Sequence, residues 1–363
     1  MSQHPDHDLS TPAPSRRAVL SAAGAVGLVT LGAGISRVFA SPRIPLPADI
    51  DAAPICHVAD TLLAKPDTKL KLSWGPTAIC TVCVPVAEQR GIFKRHNLDV
   101  ELVSFGGSTD QLLEAIASGK TDAGVGMALR WLKPLEQGFD VKITTGIHAG
   151  CMRLMAEHGS PLTGIADMKG KTIGVSDMAA PDKNFFSILA AKQGIDPVRD
   201  IQWKVFPPDM LGIALKNGDI DAIALIDPLA TVIRDRDGLN EIANNLSGEY
   251  AHRVCCVLGV SGNLVRNDRA AAGALTQSLR EAEEYAADNP DEAAAMFAQY
   301  SPTPVAQLAA MLRSHNHHHH PADSDLKAEL AAYTDELKLV QVIRPSTNTQ
   351  RFADKIYADV LSS

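Results

Sequence analysis

Residues 98–126 read LDVELVSFGGSTDQLLEAIASGKTDAGVG. Leu98 to Phe105 carries enough branched apolar residues for a strand, and Gly106-Gly107 breaks it. Thr109 to Ser118 then places Leu112, Leu113, Ile116 and Ala117 at the helical period. Gly119 ends that helix, and Ala123 to Met127 forms a second short strand. Strand, glycine turn, helix and strand in under thirty residues make a β-α-β unit, which implies a parallel pairing.

The pattern extends both ways. Upstream, Leu70 to Trp74 reads as a strand, and Cys83 to Arg90 as a helix stopped by Gly91. Downstream, Val141 to Ile147 reads as a strand. A second cycle begins at Lys171, with strands at 172–175, 201–206 and 220–226 and helices at 182–193 and 210–216. Val254 to Val260 is a further apolar strand before a long helix, Asp268 to Asp288. The expected fold is α/β with two lobes, each a mostly parallel sheet flanked by helices. A chain of 363 residues suits that division.

Composition narrows the function. Acidic residues outnumber basic ones, 42 to 34, for a net charge of −8. No overall basic field draws the chain to nucleic acid. Aromatic residues are 5% of the total, too few for a site of stacked sugars or bases. No G-x-S-x-G, phosphate loop, H-E-x-x-H or dinucleotide fingerprint occurs, so the chain reads as a non-enzyme.

Residues 1–40 read as an export signal. Arg16-Arg17 precedes an uncharged apolar run over 18–35, and Val38-Phe39-Ala40 fits a cleavage site. The arginine pair ahead of a Gly/Ala-rich run resembles a twin-arginine signal. An uncleaved anchor is the competing reading. Residues 41–68 read as an extended leader.

In doubly wound sheets ligands bind at the carboxyl ends of strands, beside helix N-termini. Those ends carry Trp74, Gly75 and Thr77, then Gly107 and Ser108, Gly126 and Met127, Ser176 and Asp177, and Asp227. They point to a small polar ligand held between two lobes.

The chain also resembles a known family. Residues 74–80 (WGPTAIC) and 86–103 (VAEQRGIFKRHNLDVELV) look like the opening of substrate-binding proteins of nitrate/sulfonate/taurine-type ABC importers. The likeness continues through 106–126, 167–175 (DMKGKTIGV) and 216–228 (KNGDIDAIALIDP). It implies a periplasmic, type II two-lobed binding protein that takes a small anion or organic sulfonate and delivers it to a membrane permease. A binder that opens and closes freely works as a monomer. It implies a discontinuous first lobe, 69–150 and 258–363, around a second lobe at 151–257. The same family includes thiamin-pyrimidine precursor binders and a synthase whose cysteine cluster falls where Cys255-Cys256 stands, before residues 257–272. Two cysteines do not carry that catalytic role across.

Six cysteines and twelve histidines remain to be placed. Cys80 and Cys83 form a C-x-x-C near a helix start, read as a redox pair, half a metal site or a disulfide. On the family's fold, Cys80, His148, Cys151, Cys255 and Cys256 face the cleft. Two readings stay open for them: ligands to zinc or copper, or two disulfides with spare thiols. His315, His317, His318, His319 and His320 form a tract that either binds a transition metal or is a solvated loop.

Overall fold

A computed structural model describes residues 61–104 and 109–362. The export signal, most of the leader, Cys56, Gly107 and Ser108 lie outside these residues. Among the described residues no helix is long and apolar enough to cross a membrane.

Ten strands form two five-stranded sheets. β1 (Thr68–Trp74), β2 (Leu98–Ser104), β3 (Ala123–Met127) and β4 (Val141–Ala149) come first. β5 (Met152–Ala156), β6 (Thr172–Val175), β7 (Gln202–Val205), β8 (Ala222–Ile226) and β9 (Asn240–Asn244) build the second sheet. β10 (Val254–Ser261) returns to the first, so one strand straddles position 257. The orders are β2-β1-β3-β10-β4 and β7-β6-β8-β5-β9.

The sheets are mixed rather than mostly parallel. β1 runs parallel to β2 and β3, but β10 is antiparallel to β3 and β4. Likewise β6 is parallel to β7 and β8, and β5 is antiparallel to β8 and β9. The reason is topological. β5 and β10 are the strands by which the chain steps from one sheet into the other, with no crossover helix to reverse it. A strand arriving that way pairs against its neighbours.

Every residue of β3 and β10 is buried, as helices on both faces require. The edge strands β2 and β7 alternate or lie exposed. Gly126 on β3 packs flat beneath Trp131, which is fully buried; a Cβ at Gly126 would fall inside the indole. The longest helix, Arg269–Asp288, is capped by the Asp268 side chain accepting from the Ala271 amide at 3.1 Å. Its buried stripe runs through Ala271, Leu275, Leu279, Ala282 and Ala286, the spacing of one helical face. Glu283 lies on that same stripe and is fully buried.

The two sheets meet through more than the strand crossings. Helix Ala128–Gln137 follows β3, and helix Pro181–Lys192 follows β6. Arg130 pairs with Asp177 at 2.7 Å, and the Asn184 amide donates to the Leu129 carbonyl at 3.2 Å.

Candidate functional site

The chain crosses between the sheets twice, at Gly150-Cys151 and between β9 and β10. Asn245 ties the crossings together. Its Oδ1 accepts from the amides of Cys151 and Met152 at 2.8 and 2.7 Å. Its Nδ2 faces Cys255 Sγ at 3.8 Å.

Four cysteines converge here, all unpaired by disulfide and all buried. Cys151 Sγ and Cys255 Sγ are 3.4 Å apart. Cys80 stands close enough to Cys151 and Cys256, and Cys255 to Cys256, for each to shift the other's titration. The four thiols thus make one buried cluster. Cys80 comes from the short turn Ile79–Thr81, Cys151 from the first crossing, and the other two from the start of β10. Thiol donors from Cys151 hold Cys80 and Cys255 well below the usual cysteine range. Contacts with Cys255 and Cys80 push Cys151 and Cys256 up.

His148, at the end of β4, faces this cluster. It is fully buried, and neither ring nitrogen has a hydrogen-bond partner among the described residues. Burial alone would depress its pKa; Cys80, Cys255 and Glu283 together outweigh burial and lift it to about 10. Cys80 Sγ, Cys256 Sγ and one His148 nitrogen all lie within 4.8 Å of one another.

The histidine tract divides in two. Asn316 bridges to Ala149 in antiparallel fashion, so the backbone is extended there and its two neighbours share a face. His315 and His317 therefore turn inward and stack on His148, with ring centroids at 6.0 and 5.1 Å. His315 Nε2 donates to Asp227 at 2.9 Å, and His317 Nδ1 donates to Glu283. Their other nitrogens, His315 Nδ1 and His317 Nε2, are buried without partners. His318 is exposed and pairs with Glu284; half-buried His319 pairs with Glu329 and half-buried His320 with Glu284. One tract read as a single metal-binding group or loop is thus two groups, because the bridge at Asn316 sends His315 and His317 inward and the turn at 317–318 carries the rest away.

Several sequence-derived contacts are committed elsewhere. Trp74 is buried edge-on to Tyr300, with centroids at 4.8 Å. Met127 is buried, and Gly126 serves Trp131. Gly75 is buried and its carbonyl accepts from the Thr81 hydroxyl at 3.0 Å. Asp227 is fully buried, accepting from Arg153, Thr231 and His315. Cys80 and Cys83 do not act as a pair: Cys83 turns toward Glu283, and burial pushes its thiol up. The cysteines and His148 lie in an enclosed core rather than on an open cleft wall. Thr77 and Asp177 are exposed and Ser176 is half-buried.

A separate opening of about 280 Å³ lies between helices Thr109–Ala117, Ala128–Gln137 and the turn before Pro181. Arg130, Lys133, Lys183 and Asn184 line it, with Glu114 and apolar side chains between them. No sequence motif marks it, because its cations come from two lobes.

Two lobes on five-stranded mixed sheets, joined by paired crossings, define the periplasmic binding protein fold. Residues 82–293 match the NMT1/THI5-like family, and the chain belongs to that family. Among solved structures, the aliphatic sulphonate-binding protein SsuA of Escherichia coli superposes with a TM-score of 0.67 at 18% identity, over 81% of this chain and 93% of that one. The nitrate-binding protein NrtA of Synechocystis PCC 6803 gives 0.66 at 15% identity, over 82% and 88%. The desulfurization enzyme DSZB gives 0.58 at 16% identity, over 81% and 97%. Sequence comparison finds no curated relative.

Proposed function

We propose that this chain is the periplasmic solute-binding component of an ABC importer of the nitrate/sulfonate class. Its ligand is a small inorganic or sulfonate anion, its partner a membrane permease, and its working form a monomer. The observation that carries the reading is the opening between the lobes, lined by Arg130, Lys133 and Lys183 with Glu114; Arg130 pairs with Asp177 and Lys133 with Glu136, which leaves Lys183 as the cation for an anion to meet. A cation backed by apolar walls favours a compact anion, because the low-dielectric surround strengthens the contact. The similarity to SsuA and NrtA, which by name bind sulphonate and nitrate, supports the ligand class. The resemblance of residues 1–40 to a twin-arginine signal supports the location. DSZB has the same fold and is an enzyme, so fold alone does not decide against catalysis. The reading as a binder rests on the opening. Thr77 and Ser176 remain candidate contacts, with hydroxyls that carry no hydrogen bond among the described residues.

The test is calorimetric titration and thermal melting with nitrate, taurine and short alkanesulfonates. A ligand at a hundredfold excess over its Kd stabilises the folded chain by about 2.7 kcal/mol. Absence of heat and of any melting shift across the whole series would overturn the reading.

A further inference from the structure

The buried cluster of sulfurs and imidazoles is unexplained by anion binding. A binder of small anions needs backbone donors and cations at its opening, and that opening is lined by a different set of side chains. The cluster instead gathers four thiols and three imidazoles where water does not reach. Four imidazole nitrogens there have no partner: both of His148, Nδ1 of His315 and Nε2 of His317. Each unpaired buried polar atom costs about 1–3 kcal/mol. Native cores avoid leaving such atoms bare unless something else satisfies them, and a ligand on His148 would satisfy one of its two.

The donor set has the chemistry of a metal centre. Thiolates with imidazoles select zinc-class and copper(I) ions over hard cations, which prefer oxygen. The spacing fits as well. Three atoms separated by at most 4.8 Å have a common centre no more than about 2.8 Å from each, about 0.5 Å beyond a zinc–sulfur bond. Shifts of a few tenths of an ångström close that gap. Glu283 on His317 and Asp227 on His315 hold in place the two imidazoles that stack on His148. Glu283 is otherwise a fully buried acid on the apolar stripe of helix Arg269–Asp288.

We infer that the crossing of the two lobes holds one tetrahedral thiolate–imidazole ion, Zn²⁺ or Cu⁺, bound by Cys80, His148 and Cys256, with Cys151 or Cys255 as the fourth ligand. His317 and Glu283 are positioning residues behind His148. Loading displaces thiol protons to solvent and oxidises nothing. The surface group of Glu284, Asp288 and His318 is exposed and is not this site.

The test uses the full chain, purified without metal resin, reduced, and loaded separately with Zn²⁺ and with Cu⁺ under anaerobic conditions. Native mass spectrometry and elemental analysis should give one ion per chain, retained through gel filtration, for one of the two. Co²⁺ in place of Zn²⁺ should show the thiolate charge-transfer bands of tetrahedral coordination. Cys80→Ser, Cys256→Ser and His148→Asn should each weaken binding by at least about tenfold. Glu283→Gln, which frees the His317 ring stacked on His148, should weaken it less than the ligand variants do while keeping the cobalt spectrum. A triple His318→Ala, His319→Ala, His320→Ala variant should keep the full equivalent. Binding lost only in that triple variant would overturn the inference, and so would wild-type protein that holds neither ion. A mass lower by four hydrogens with no metal would do the same. If a cysteine variant fails to fold, the wild-type protein still decides, since absence of thiolate charge-transfer bands with both Co²⁺ and Cu⁺ refutes the site. None of these readouts involves an anion, so this inference and the import reading can fail separately.

Discussion

Arg153 and Asp227 bury an ion pair where β5 and β8 meet. The guanidinium Nε lies 3.0 Å from Oδ2, and its terminal nitrogen 2.9 Å from the same oxygen. Asp227 also accepts from the Thr231 amide and hydroxyl and from His315. One carboxylate therefore joins the second sheet to the inward half of the histidine segment. Asp227→Asn leaves Arg153 buried with only Glu241 as a counter-charge. Breaking a buried pair in this way costs about 3–5 kcal/mol. Urea unfolding of the variant should show that loss, and a change under about 1 kcal/mol would contradict it.

Asp182 gives a pH signature away from the sulfur cluster. It stands on the first turn of helix Pro181–Lys192, is 2% exposed, and leaves Oδ2 without a partner. Burial pushes its pKa from 3.8 to about 7, against the pull of nearby amides and Arg130. A carboxyl whose folded pKa exceeds its unfolded one stabilises the fold when protonated. That contribution is complete below about 3.8 and is lost as the pH rises through about 7. Asp182→Asn should melt like the wild type at pH 4 and at progressively higher relative temperature from pH 5 to 8. A difference that does not vary with pH would count against this assignment.

Gly126 separates packing from ligand contact. If its role is to seat Trp131, Gly126→Ala should cost about 1–3 kcal/mol through displacement of the indole. Anion affinity measured on the folded fraction should stay unchanged. A variant of normal stability that no longer binds would restore Gly126 to the ligand site.

Lys183 is half-buried at the opening, and burial lowers its pKa. Removal of one charge-assisted contact is worth about 1.5–3 kcal/mol. Lys183→Gln should therefore weaken anion binding about 10- to 100-fold, with melting shifted little. Lys120→Gln, at an exposed position, serves as the control. Equal effects in the two variants would show a general field rather than a contact.

Much of the architecture was readable because apolar periodicity reports burial. β1 to β4, β6, β7, β8 and β10 all carry it. β5 and β9 escaped notice: β9 reads Asn-Glu-Ile-Ala-Asn, which has no apolar alternation, and β5 follows β4 after only two residues. Helix Ala128–Gln137 was hidden by Pro134 inside it. The convergence of Cys80, His148, Cys151, Cys255 and Cys256 was legible through the resemblance in fold. The inward turn of His315 and His317 was not. Its signal lay in the His-Asn-His alternation, which means something only once the segment is known to be extended. The cationic opening was invisible, since Arg130 and Lys183 lie 53 residues apart and meet only through the packing of two lobes.

Gly150 occupies the first crossing with a φ of +78°, and a Cβ there would press into Leu246 of the second crossing. The two crossings thus run shoulder to shoulder, like adjacent pins on a single door. A side chain at 150 would act as a wedge, prising the two pins apart at a place where they touch.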